Sequence, residues 1–191
     1  RTLMPELQTT FQVVTMALER ADLINRFTRY YLDIGASKVV VCHDGPVPAG
    51  VTRADAIEHI ALDDAFWAVA PEPRPDDHLF RQKVAHQYAV EHADTDWTLV
   101  VDIDEYLAAP TPFAQVLGRL PPQDQSIRIR NAEAVWGPGD RIGETLTCSY
   151  LRFATRPGRT RRLLKLLHGN QAEMLRMGVT GYSHGKHAVR N

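Results

Sequence analysis

Phe11-Gln-Val-Val-Thr-Met-Ala-Leu18 leads into Glu19 to Ile34 and then into Lys38-Val-Val-Val-Cys42. The first run is apolar and rich in β-branched residues, the pattern of a buried strand. The second places Leu23, Ile24, Phe27, Tyr30, Tyr31 and Ile34 at helical spacing, with Gly35 placed to end the helix. The third is again a continuous apolar run, and His43-Asp44-Gly45-Pro46 closes it with turn chemistry. Strand, helix and strand within so short a span make a βαβ unit, which requires parallel strands.

Outward from this unit, Ile57-Glu-His-Ile-Ala-Leu62 reads as a weaker third strand and Asp76 to Ala93 as a helix, capped by Asp76 or Asp77, with Phe80, Val84 and Tyr88 on one face. Trp97-Thr-Leu-Val-Val-Asp-Ile-Asp104 gives the strongest strand signal in the chain. Pro110 to Leu120 predicts a short helix and Ser126 to Arg130 a half-exposed strand. Beyond Trp136 the pattern weakens into turn punctuation. The expected class is α/β: a Rossmann-like, mostly parallel sheet flanked by helices, with an irregular α+β C-terminal part. The whole of 1–191 reads as a single domain, its first half 1–107 and its second 108–191.

The 191 residues suffice for one domain whose core needs no staples. Lys plus Arg number 22 against 23 for Asp plus Glu, a net charge of −1 that argues against an electrostatically driven nucleic-acid binder. Two cysteines, Cys42 and Cys148, make no disulfide framework and, with no CxxC, no zinc site; both read as buried thiols in a reducing compartment. No apolar run approaches the roughly 20 residues of a membrane span, and no signal-like segment opens the sequence, so a cytoplasmic protein is expected.

The chemistry concentrates at Thr98-Leu-Val-Val-Asp102-Ile-Asp104-Glu105-Tyr106. Four positions hold three carboxylates straight after an apolar strand, and buried carboxylates repel unless a cation neutralises them. In a continuing strand Asp102 and Asp104 share a face, at the sheet edge where α/β proteins bind ligands. Hard oxygen donors with room for water and phosphate suit Mg2+ or Mn2+. Residues 91 to 105 carry six acids and no Lys or Arg, which strengthens the demand for a cation.

The Phe11–Thr15 strand, Glu19, Leu32-Asp-Ile-Gly35, the Lys38–Cys42 strand and the Asp96-Trp97 … Asp102-Ile-Asp104-Glu105-Tyr106 segment together resemble the family 2-like glycosyltransferases. Ser183-His184-Gly185-Lys186-His187-Ala-Val-Arg190 resembles a late basic element of the same branch. The likeness covers about 11–107 and 178–190. It implies an A-type fold with a nucleotide-sugar-binding first half and an acceptor-side second half. It also implies a metal-dependent transfer of a sugar from a nucleoside-diphosphate sugar, a UDP-sugar favoured, to a hydroxyl of a glycan or surface polysaccharide. The metal, Mn2+ or Mg2+, falls to Asp102, Asp104 and His184. The nucleotide falls to Thr15, Glu19, Asp44, Arg81, Asp102, Lys186 and Arg190. The sequence departs from the family after its second strand, where His43-Asp44-Gly45-Pro46 replaces a longer polar run.

Each residue also has a plainer reading. Glu19 is a helix-start acid, Asp44 an Asx turn, Arg81 a salt-bridged surface residue, and the 183–190 segment a solvated basic end. An inverting transfer needs a general base; Glu133, before Trp136, is favoured over Glu144. Arg156 to Lys165 holds five basic residues and no acid. It is a solvated face, or a patch for a diphosphate, an anionic glycan, or lipid headgroups in a peripheral membrane contact. The alternatives to an enzyme of this kind are a non-catalytic carbohydrate- or protein-binding module on the same scaffold and a nucleotidyltransferase. The latter is disfavoured because Met16-Ala-Leu-Glu-Arg20 has no glycine.

Overall fold

A computed structural model describes residues 9–70, 72–139, 148–153, 159–169 and 185–191. The chain divides into two compact units, Arg1–Ile127 with His187–Asn191, and Arg128–Lys186.

The first unit is built on the βαβ start. Strand β1 (Phe11–Ala17), helix α1 (Ala21–Asp33) and β2 (Lys38–His43) follow one another, and β1 and β2 pair in parallel from Gln12↔Lys38 to Ala17↔His43. Gly35, at φ 95°, ends α1 and lets the Ala36 N–H reach back 2.9 Å to the Tyr31 carbonyl. Strand β3 (Ile57–Ala61) joins β2 in parallel. Helix α2 (Asp64–Val69), which the sequence reading passed over, is capped by Asp63 accepting from the Phe66 N–H. Helix α3 (His78–Glu91) is capped by Asp77, and β4 (Trp97–Val100) returns parallel to β1. Helix α4 (Phe113–Gly118) and strand β5 (Ser126–Ile129) lead to the second unit, which contains β6 (Ala132–Val135), β7 (Tyr150–Phe153) and α5 (Arg159–His168). Strand β8 (Lys186–Arg190) comes back antiparallel to β4. Among the described residues the main sheet has six strands in the order β3-β2-β1-β4-β8-β5, and β6 pairs with β7 in a second sheet. The protein is thus α/β, with a mostly parallel mixed sheet flanked by helices.

Alternation along the strands sorts the core into two layers. Val14, Val40 and Cys42 face α2 and α3, packing with Leu62, Trp67, Ala85 and Ala89. Val13, Val39 and Val41 point to the opposite face, and α1 buries Ile24, Phe27, Thr28 and Tyr31. The face of α3 differs from expectation. Phe80 is 59% exposed, and the residues buried on α3 are Ala85 and Ala89. Small side chains let the helix backbone approach, so that buried Gln12 donates to the Ala89 carbonyl at 3.0 Å and Cys42 Sγ lies 3.8 Å from the Ala85 carbonyl. Burial pushes the Cys42 thiol up to about 12, while Cys148 is only half-buried.

In the second unit Gly185, at φ 75°, occupies a position where a Cβ would run into the Ile129 carbonyl oxygen. No described helix is long and apolar enough to cross a membrane.

Candidate functional site

In the order β3-β2-β1-β4, the chain moves outward in one direction from β1 and then restarts on β1's other side with β4. The C-terminal ends of β1 and β4 therefore flank a topological switch point, where neighbouring connections part and leave a crevice. The last rung there is the Val101 N–H donating to the Val14 carbonyl at 3.1 Å.

The acidic segment begins at the next residue. It does not continue the strand, as the alternation argument expected. β4 stops at Val100, and residues 102 to 105 form a tight turn closed by the Glu105 N–H on the Asp102 carbonyl (3.0 Å). Glu105 turns its carboxylate back to accept the Asp102 N–H at 2.9 Å, which satisfies a donor that has left the ladder. Asp102 is half-buried and accepts from Gln82 Nε2 of α3 at 3.2 Å; Asp104 is exposed at the tip. On the other side, α1 clamps the outgoing chain. The Tyr31 hydroxyl donates to the Glu105 carbonyl (3.0 Å), the Tyr30 hydroxyl to the Leu107 carbonyl (2.8 Å), and Arg26 Nε to the Tyr106 hydroxyl (3.2 Å). The Tyr106 ring meets Tyr30 edge-on at 4.9 Å. Burial raises the pKa of both the Tyr30 and Tyr31 hydroxyls above the ordinary tyrosine value, so they stay protonated donors. The sequence alone named none of Gln82, Tyr30 and Tyr31 as site residues; the two tyrosines entered it only through helical spacing, and Gln82 gave no signal.

The end of β2 is occupied by an ion pair. Asp44, its side chain 8% exposed, takes a fork from Arg81 (Nε 2.8 Å, Nη2 2.7 Å) and a third contact from Arg74 (3.2 Å). Hydrogen bonding to Arg81 holds its carboxyl below the usual carboxylate range. The remaining Arg81 nitrogen, Nη1, donates to the Pro75 and Asp76 carbonyls. Asp44 and Arg81, both expected on the nucleotide, are thus paired with each other. One residue earlier, His43 Nε2 and His59 Nδ1 lie 2.9 Å apart, and His59 Nε2 lies 3.0 Å from the Thr52 carbonyl. Burial, with His59 and Arg53 nearby, pushes His43 down to about 4.

The other expected residues scatter. Thr15 is fully buried beneath the rim, its hydroxyl without a partner among the described residues. Glu19 is exposed in the β1–α1 connection, beside Leu18, which is 74% exposed. Arg190 is not at this rim. The β4–β8 register pairs it with Trp97, at the far end of β4. There its guanidinium stacks 4.4 Å from the Trp97 ring centroid and bonds the Asp124 and Pro121 carbonyls. Lys186 opens β8, one residue before His187, the partner of Val100. In the second unit Glu133 is ion-paired to Arg152 (2.6 Å), its partner in the β6–β7 register. His184, Glu144 and Arg156 lie outside the described residues.

The donor chemistry at the acidic turn suits a hard divalent cation. Two carboxylates, one buttressed and one exposed, leave coordination positions for water and phosphate, as Mg2+ prefers. Among the described residues no group of three His, Cys, Asp or Glu side chains forms a preassembled metal cage. A cavity of about 270 Å³ lined by Thr10, Ser37, Lys38, Asp55, Asp94 and Thr95 lies instead near the strands' N-terminal ends. No protein-family model matches the chain, and no curated protein matches it significantly.

Proposed function

We propose that this chain is a metal-dependent glycosyltransferase with an A-type fold, transferring a sugar from a nucleoside-diphosphate sugar to a hydroxyl acceptor of a glycan or surface polysaccharide. The observation that carries the reading is the placement of the acidic turn, 102–105, at the switch point of a parallel sheet. A UDP-sugar is the favoured donor.

Asp104 and Asp102 would hold Mn2+ or Mg2+, which when bound supplies Lewis-acid stabilisation of a leaving diphosphate. Gln82 fixes the Asp102 carboxylate, and Tyr30 and Tyr31 fix the chain beyond the turn, so the two acids are presented by a braced backbone. The N-terminus of α1 opens on the same side of β1, and no side chain caps it. Its dipole favours a phosphate, and Arg20, at the N-cap, adds a positive charge now shared with Asp22 at 3.1 Å. Exposed Leu18 offers apolar surface beside Gly45 at the ends of β1 and β2.

Calorimetry tests the reading with UDP, with and without Mn2+, on the native chain and on Asp104→Ala. Binding that needs the metal and drops at least about tenfold in the variant supports it. Equal affinity in all four measurements removes it. One observation favours the non-catalytic alternative: Glu133, the general base chosen from sequence, already serves as the acceptor of an Arg152 ion pair. UDP-sugars left intact by the native chain with Mn2+ and a glycan acceptor, despite metal-dependent UDP binding, would select that reading.

A further inference from the structure

Helix α5 is ten residues long, about 15 Å, and is closed by Gly169 at φ 54°. Its sequence, Arg159-Thr-Arg-Arg-Leu-Leu-Lys-Leu-Leu-His168, contains four Arg or Lys residues, one His and no acid, in a chain whose net charge is −1. Leu163, Leu166 and Leu167 stand at i, i+3 and i+4, the spacing of a single stripe. They are 55, 83 and 64% exposed. Three leucines on one short helix with most of their surface in water are costly to leave uncovered. Lys165 and His168, also exposed, fall on the opposite side of the helix by the same spacing.

We infer that α5 is a membrane-surface helix that lies in the interface of a bilayer carrying anionic phospholipids, Leu163, Leu166 and Leu167 toward the acyl chains and Lys165 and His168 toward the headgroups. Two requirements select this occupant. The leucine stripe needs an apolar medium a few ångströms deep, which the headgroup–acyl boundary supplies over the length of a short helix. The positive charges need a negative surface, and basic residues on such a helix each add about fivefold to partitioning. A second copy of α5 would meet the apolar need while setting like charges against each other. An acidic protein would meet the charge without explaining the three leucines. This inference does not rest on the glycosyltransferase reading, because no residue of the acidic turn takes part.

The test floats the full chain with vesicles of phosphatidylcholine alone and with vesicles in which about one lipid in three is phosphatidylglycerol. Binding is expected to the anionic vesicles only, and to weaken in high salt, which shortens the screening length from about 10 Å to about 3 Å. Lys165→Glu should lower partitioning about 25-fold, and the double change Leu166→Ser with Leu167→Ser at least about tenfold. Both sites are exposed, so melting temperature should hold. If the serine variant melts early, Lys165→Glu decides the matter alone. Failure to float with anionic vesicles overturns the inference, as does equal binding to both compositions or serine variants that float like the native chain. A native oligomer, seen by light scattering, that the serine changes dissolve would make a second copy the occupant and overturn it as well.

Discussion

The two ends of β4 carry the same chemistry in sequence and opposite roles in structure. Glu91, Asp94 and Asp96 precede the strand, and Asp102, Asp104 and Glu105 follow it. Counted along the chain they are one acidic cluster. A four-residue strand separates them by at least about 13 Å. At the N-terminal end each acid has a partner: Gln87 on Glu91, Lys38 on Asp94 and Thr10 on Asp96. Asp96 accepts from both the N–H and hydroxyl of Thr10 (2.7 and 3.0 Å), Gln12 bonds Thr98, Thr98 bonds Asn191, and Asn191 bonds the Thr95 carbonyl. Arg190 covers Trp97. At the C-terminal end the backbone is braced from α1 and α3, while Asp104 is left in solvent. The difference teaches that charge count does not locate a site; what matters is which carboxylates the fold uses for its own hydrogen bonds.

The sharpest way to break this comparison is to remove one acid from each end. Asp104→Ala should abolish measurable Mn2+-dependent UDP binding with the melting temperature unchanged. Asp96→Ala should leave UDP binding intact and cost about 1 kcal/mol of stability, the worth of a charge-assisted hydrogen bond at an exposed site. Titration calorimetry and thermal melts on both variants read the two outcomes, and a reversed pattern would mean that the ends have been assigned the wrong way round.

The next largest effect belongs to the end of β2. Arg81→Ala strips the main partner from a nearly buried carboxylate, leaving Arg74 alone on Asp44. The melting temperature should fall by several degrees. If Arg81 instead served the nucleotide, UDP affinity would fall and the melt would not.

The parallel start was legible because β-branched runs and a helical stripe are local signals: Phe11–Cys42 gave strand, helix and strand within one or two residues of their ends. The acidic run was legible as a cluster of carboxylates but not as a turn. Extending the strand through Asp104 assumed that alternation persists, whereas Glu105 found an acceptor role that depends on where the Asp102 N–H leaves the ladder. The braces from Gln82, Tyr30 and Tyr31 were hidden because they join residues 20 to 77 positions apart. Arg190 went to the wrong end of β4 for a related reason. Its motif suggested an anion, but an antiparallel β8 carries the chain away from the rim with each residue after His187.

The histidine pair sharpens the comparison through pH. His43 is held down to about 4 by burial and by its neighbours His59 and Arg53, so it is neutral in the folded protein near neutrality. In the unfolded chain it takes a proton near pH 6.5. Protons therefore favour the unfolded state, and this group's stabilisation is complete above pH 6.5 and declines as pH falls toward about 4, by up to about 1.4 kcal/mol per unit. Denaturant melts across that window should show the slope, and His43→Gln should flatten it. Asp44 acts lower. With its carboxyl held below the usual range, its share is present above the ordinary carboxylate pKa and is lost as pH falls through the depressed value. Stability should accordingly decline over two pH windows as acid is added, the histidine's first.

The smallest effect is the most diagnostic for the opposite end. Arg190→Lys keeps the charge but loses the planar group that lies on Trp97 and the fork that reaches the Asp124 and Pro121 carbonyls. A cation over an indole is worth about 0.5–1 kcal/mol where water reaches it, and more when it is desolvated. Arg190 is half-buried, so a loss of about 1 kcal/mol is expected, with UDP affinity unchanged. Were Arg190 a phosphate ligand, lysine would preserve stability and the damage would show in binding. Because the two accounts move different observables, a single variant measured both ways decides between them.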